Sequence, residues 1–205
     1  MKKTIFALFS LFAFPVSLLS AVDSALVAAA EKYLNSITGL SGDFVQMAGN
    51  KKDSGEFTML RPGRVRLDYK TTPVQLIGDG KDLYFYDKKL DQITTVPMTS
   101  TPAGILVRKN INLQTADIVV LETKSDKDSF SLKMALKGNE GVGSMNVAFS
   151  HSPVKLQSWI VTDALGNKTA VNFSDLKTKT DFGKNWFQIG RHKTISNSGD
   201  DSFYE

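Results

Sequence analysis

Residues 55–69 read Gly-Glu-Phe-Thr-Met-Leu-Arg-Pro-Gly-Arg-Val-Arg-Leu-Asp-Tyr. Phe57 and Met59 alternate with Glu56 and Thr58. Beyond Arg61-Pro62-Gly63, Val65, Leu67 and Tyr69 alternate with Arg64, Arg66 and Asp68. A period of two is the strand period, because successive side chains leave a strand on opposite faces. The segment therefore predicts two strands with one apolar face each. The same period recurs at Phe130, Leu132, Met134 and Leu136, at Met145, Val147 and Phe149, and at Val171 and Phe173. Turn-forming residues separate these runs at Asn50–Gly55, Gly78–Gly80, Asp87–Lys89, Gly138–Gly141 and Asp163–Asn167. Strands joined by tight turns read as an antiparallel meander, and about ten of them in one sheet must curl. No alternation of strand and helix patterns supports a Rossmann-like fold.

Two segments depart from the strand rhythm. Asp23 can cap a helix whose apolar positions are Leu26, Val27, Ala30, Tyr33, Leu34 and Ile37, with Gly39 closing it. Thr99-Ser100-Thr101 followed by Pro102 reads as a second start, predicting a short helix over 102–109 with Ile105, Leu106 and Val107 apolar. A short apolar helix inserted in such a sheet is suited to covering its concave face.

The chain has 205 residues, enough for one domain with a sizeable core. Lys2 and Lys3, the uncharged run Ile5–Leu19 and the small residues Ser20 and Ala21 follow the order of a secretory signal. This predicts a signal peptide over 1–21, a single domain over 22–205 and export from the cytoplasm. There is no cysteine, hence no disulfide, no Cys-based metal or redox site and no lipid-modified cysteine. Removal of Lys2 and Lys3 leaves 23 basic residues against 21 acidic ones, too balanced to point to nucleic acid.

Residues 55–69, with Pro73–Thr94 beyond them, carry Gly55–Pro62, Gly78–Asp87 and Gln92-Ile93-Thr94 in an order and spacing that resembles the periplasmic outer-membrane lipoprotein carrier (LolA-type) family. Phe44 and Gln46 match the first strand of that family. Ser152–Leu176 matches its strand pair containing Trp, Asp, Gly and Thr, and the likeness runs from about Asp23 to Ile189. The resemblance implies an unclosed, strongly bent antiparallel β-barrel with helices as a lid over its concave side. It also implies export to the periplasm and a chaperone that takes acylated lipoproteins from an ATP-driven, ABC-type inner-membrane release complex to an outer-membrane receptor. No phosphate-binding loop occurs in this chain, so the energy would come from the partner. Two features depart from the family pattern: Gly104 lies inside the lid insert, and Ile189 runs into a polar tail instead of a Pro-containing segment.

Arg61 shares its parity with Phe57 and Met59, and a guanidinium on an apolar face is costly unless its donors are met. The resemblance implies that Arg61 gates the lid by binding its backbone near Pro102, Ile105 and Leu106. Candidate acyl-chain cavity residues are Phe57, Met59, Val65, Leu67, Tyr69, Leu83, Phe85, Met134 and Met145. An ordinary closed core accounts for the same residues equally well. In Leu83–Tyr86, Leu83 and Phe85 point one way and Tyr84 and Tyr86 the other. Arg64 and Arg66 face away from the cavity, as a solvated strand face. Trp159 and Trp186 read as structural. The two histidines, His151 and His192, sit near turns or the tail, and no nucleophile or base motif accompanies them, so no enzyme and no cofactor or metal is expected. A monomer that binds acylated lipoproteins is the leading reading. A periplasmic carrier or sensor of another amphiphile, such as a glycolipid, is the alternative on the same fold.

Overall fold

The computed structural model describes residues 22–189. The expected signal peptide and the tail from Gly190 lie outside this range. The chain opens with helix α1 (Ser24–Ser36). Asp23 caps it, its Oδ1 accepting from the backbone N–H of Ala25 at 2.8 Å and of Leu26 at 3.3 Å. Val27, Ala30 and Leu34, spaced three and four apart, form the buried stripe.

Eleven strands follow: β1 (Gly39–Ala48), β2 (Lys51–Leu60), β3 (Arg64–Tyr69), β4 (Val74–Asp79), β5 (Asp82–Asp87), β6 (Gln92–Pro97), β7 (Ile118–Ser125), β8 (Ser129–Leu136), β9 (Gly143–Ser150), β10 (Leu156–Asp163) and β11 (Lys168–Thr178). They make one sheet in the order β6-β5-β4-β3-β2-β1-β11-β10-β9-β8-β7, each adjacent pair antiparallel. The first and last strands meet at the middle, so the sheet consists of two meanders joined by the β1–β11 pair. β6 and β7 stand at opposite ends without bonding each other, which leaves the barrel unclosed.

The turns are tighter than the sequence signals suggested. Ala48 pairs with Lys51, so Gly49-Asn50 alone makes the first hairpin turn, and Asp53, Ser54 and Gly55 belong to β2. Gly49 adopts φ +56°, the left-handed conformation that a two-residue hairpin requires.

The insert between β6 and β7 forms two 3₁₀ turns, Met98–Ser100 and Pro102–Ile105, in place of the helix predicted over 102–109. Thr101 caps the second, its Oγ1 accepting from the Gly104 N–H at 3.1 Å. Gly104 explains the short length. A Cβ there would come within 2.2 Å of the Met98 carbonyl oxygen, so only glycine lets the two turns stack this closely. Leu106 and Val107 are buried beyond the helical residues.

Residues beyond β11 cross the convex face of β2–β5. Arg66 donates to the Trp186 carbonyl at 2.8 Å, forks onto Asp68 and lies 4.9 Å from the Trp186 ring. Trp186 Nε1 donates to Thr58 Oγ1 at 3.0 Å, and Arg64 lies 5.9 Å from the Phe187 ring. Arg64 and Arg66 therefore do face away from the cavity, but they are half-buried under this segment instead of forming a solvated face. Trp186 serves as its anchor.

Candidate functional site: the concave face and its lid

Strand register decides which side chains share the concave face. Phe57, Leu67, Leu76 and Phe85 lie opposite one another across β2–β5. On the far side, Trp159 lies opposite both Val171 and Val147, and Leu132 lies opposite Val147. An aromatic cluster joins the two sides at the middle: Phe57 sits 5.7 Å from Trp159 and 4.7 Å from Phe173, which sits 4.6 Å from Trp159.

The candidate cavity residues all have the parity of this face. Phe57, Met59, Val65, Leu67, Met134 and Met145 are buried, and Tyr69 and Leu83 are half-buried against the same core. Phe85 is 46% exposed, beside β6, which is exposed throughout. Tyr86, on the opposite face of β5, is buried. Tyr69 lies edge-on to Phe44 at 5.1 Å and donates to Gln46 Oε1 at 2.7 Å. Burial pushes its hydroxyl up to about 12.

Ile105 and Leu106 are buried over this face, with Val107, Ile111 and Leu113 following them. Helix α1 is tied to the same segment. Asn35 Nδ2 donates to the Ile111 carbonyl at 2.7 Å, Asn35 Oδ1 accepts from the Ile111 N–H at 2.9 Å, and Glu31 accepts from the Leu113 N–H. The helix and the insert thus form one lid, α1 against β8 and the Pro102–Ile105 turn against β8 and β9.

Arg61 is 7% exposed, and its Nε and Nη2 make no hydrogen bond among the described residues. The turn that carries it does meet the lid, but through the Gly63 N–H, which donates to the Val107 carbonyl at 2.6 Å. That bond joins Gly63 to Val107, whereas the expected gate joined Arg61 to the lid near Pro102, Ile105 and Leu106. Burial pushes the Arg61 guanidinium below its ordinary value, and the nearby Tyr33 hydroxyl opposes the shift.

A pocket of about 570 Å³ opens beside the C-terminal end of α1, walled by Tyr33, Ile37, Leu40, Leu156, Phe173 and Leu176 with a polar rim that includes Lys155 and Asp175. None of the nine cavity candidates lines it. Tyr33 and Ile37 carry a helical signal and Phe173 a strand signal, but nothing in either period tells where a helix end meets a sheet. The pocket opens where the ladder breaks: β1 and β11 slip register between Ser41 and Asp43, and β9 and β10 slip between Leu156 and Ser158. Met98, buried in contact range of Gly78 and Gly104, also escaped the sequence reading because no periodic run contains it.

Among the described residues no group of His, Asp or Glu is placed to hold a metal ion. His151 Nε2 lies 3.1 Å from Ser125 Oγ and 3.1 Å from the Asp126 carbonyl, and its ring packs 5.3 Å from that of Phe130. No helix among the described residues is long and apolar enough to cross a membrane.

The family model described as Outer membrane lipoprotein carrier protein LolA matches residues 35–190. The chain belongs to this family. An outer-membrane lipoprotein carrier protein of Neisseria meningitidis serogroup C is 27% identical over 179 residues, 82% of this chain and 84% of the relative. One of Ralstonia nicotianae is 33% identical over 144 residues, 68% of this chain and 65% of the relative. Among solved structures, an uncharacterized conserved protein of Thermus thermophilus superposes with a TM-score of 0.49 at 10% identity, covering 82% of this chain and 94% of that one. The LolA family model spans β1 through β11, so the whole open sheet and the lid insert fall within it. Most of α1 precedes the match.

Proposed function

We propose that this protein is a periplasmic chaperone that shields the acyl chains of lipoproteins against its concave face. It takes them from an ABC-type inner-membrane release complex to an outer-membrane receptor. The observation that carries this reading is a largely apolar concave face in a sheet that stays open, roofed by a lid that packs on it through Ile105, Leu106 and Val107 and is hydrogen-bonded to the β2–β3 turn at Gly63. Membership of the LolA family supports the cargo class. Phe57, Met59, Val65, Leu67, Tyr69, Leu83, Phe85, Met134 and Met145 form the acyl-chain surface, and the lid parts from the sheet between Arg61 and Pro102, Ile105 and Leu106.

The energetics suit a carrier. A buried methylene contributes about 0.8 kcal/mol, so a chain of about 16 carbons contributes ~12 kcal/mol if fully shielded. Incomplete cover at Phe85 and the work of displacing the lid lower that figure and allow release. The protein acts as a monomer, without cofactor or catalysis.

The test is release from membranes. Inner-membrane vesicles carrying a labelled lipoprotein are mixed with the release complex, ATP and the mature protein. A soluble one-to-one complex is expected, formed only when this protein is present. If no label leaves the membrane while the protein binds a fluorescent glycolipid, the cargo is another amphiphile and the lipoprotein reading is wrong.

A further inference from the structure

Arg61 lies on the concave side, more than nine-tenths buried, with two adjacent donors of one guanidinium edge, Nε and Nη2, unmatched among the described residues. No carboxylate among those residues lies within ion-pair distance of it. An arginine keeps its charge at any physiological pH, so burial cannot relieve the mismatch by deprotonation. Buried donors are matched in the great majority of proteins, and an exception calls for a reason.

The surroundings supply one. The Arg61 backbone N–H donates to the Thr38 carbonyl at 2.8 Å, which sets it directly behind the junction of α1 and β1. The pocket wall on the other side of that junction is Tyr33, Ile37 and Leu40. A largely apolar face thus carries one cationic, oxygen-seeking point near a pocket with an apolar wall and a polar rim, the layout of an amphiphile's linkage region.

We propose that Arg61 is a binding residue for the ester carbonyl oxygens that join two acyl chains to their glyceryl head, and so fixes how deep the chains enter. This rests on the carrier reading above and names the part of the cargo that is recognised. Two ester carbonyls on neighbouring carbons present a pair of acceptors to one guanidinium edge. A free carboxylate would present such a pair too, but a bidentate ion pair in a dehydrated site resists dissociation, whereas a carrier has to let its cargo go. Neutral esters lose little on leaving water and are released more readily.

The experiment compares a synthetic lipopeptide with two ester-linked chains, its dialkyl ether counterpart of equal chain length, and free palmitate, each titrated by displacement of a fluorescent probe. The ester form is expected to bind about ten-fold to a hundred-fold tighter than the ether form, the size of one charge-assisted hydrogen bond. In Arg61→Leu the two should bind equally, and Arg61→Lys should regain part of the difference. Because each ratio is taken within one variant, a change in lid closure or stability cancels. Equal binding of ester and ether by the unaltered protein would overturn the inference and leave the carrier reading standing. Tighter binding of palmitate than of the ester, dependent on Arg61, would show the acceptor to be a carboxylate and overturn it as well. If none of the three binds, the acyl-carrier reading fails and the inference with it.

Discussion

The two halves of the sheet carry the same alternation of apolar and polar residues but bury it very differently. In β8 and β9, Leu132, Met134, Met145, Val147 and Phe149 have no exposed surface, and Phe130 and Phe149 stack 5.2 Å apart. In β5 and β6 the concave positions open out: Leu83 is half-buried, Val96 is 39% exposed and Phe85 46%, while in β4 Leu76 is half-buried and Val74 still buried. The difference follows the lid, which rests on β8 and β9 and meets β5 at the Met98–Ser100 turn. Strand patterning decides which way a side chain points, and lid placement decides whether it is covered. One half is a closed core, and the other leaves apolar side chains partly open, the surface that the proposed carrier role would use.

The sharpest way to break this comparison is to truncate one phenylalanine in each half. Phe149→Ala empties a site packed by Tyr33 at 5.9 Å and by Phe130, and should cost about 3–5 kcal/mol of unfolding free energy in urea. Phe85→Ala removes a half-exposed ring and should cost less than about 1 kcal/mol, while weakening acyl-chain binding. Similar losses of stability from the two variants would mean that both halves are core and that no surface is reserved for cargo.

Tyr69 marks the border between the halves, and its hydroxyl gives a pH-dependent readout. Its folded value of about 12 lies above the ordinary 10. A group whose folded value is raised contributes stability that is fully present below the unfolded value and is lost as pH rises through the folded one. Stability should therefore fall between about pH 10 and 12, by up to ~2–3 kcal/mol. Tyr69→Phe should remove that part of the slope, measured by urea unfolding at a series of alkaline pH values. An unchanged slope would place Tyr69 in contact with water and extend the open half to β3.

Most of the architecture could be read from residues 55–69 and the similar runs, because period two, one apolar face and short turns leave few alternatives to a curled antiparallel sheet. Strand parity also separates Phe57, Leu67, Met134 and Met145 from the polar residues of their own strands, and the register then brings them to a single face. Coverage could not be read, because it depends on contacts between residues far apart in sequence. Asn35 and Ile111 are 76 positions apart, and Trp186 and Thr58 are 128 apart. Arg64 and Arg66 alternate with apolar residues as surface charges do, and only the returning C-terminal segment half-buries them. The lid turn was misjudged in length for a local reason: Gly104 looks like a weak helix former in sequence, whereas its role is to let the Met98 carbonyl approach.

The smallest expected effect tests why the lid covers one half only. Asn35 grips both polar groups of Ile111, as a neighbouring strand would, and so fastens α1 to the segment that follows the 3₁₀ turns. If the covered half owes its burial to that joint body, loosening the joint should expose the segment without unfolding the sheet. Asn35→Ala leaves the partly buried N–H and carbonyl of Ile111 unmatched and should cost about 1–2 kcal/mol. The loss should concentrate in faster amide hydrogen exchange over residues 106–113, with β8 and β9 still protected, because their side chains also pack on one another across the ladder. Uniformly faster exchange over lid and strands would show that the lid is an integral layer of the core that cannot move alone, and the contrast between a covered and an open half would then be fixed at folding. Exchange confined to 106–113 would instead make the boundary between the halves movable, so that cargo arriving at Phe85 could extend toward β8 as the lid gives way.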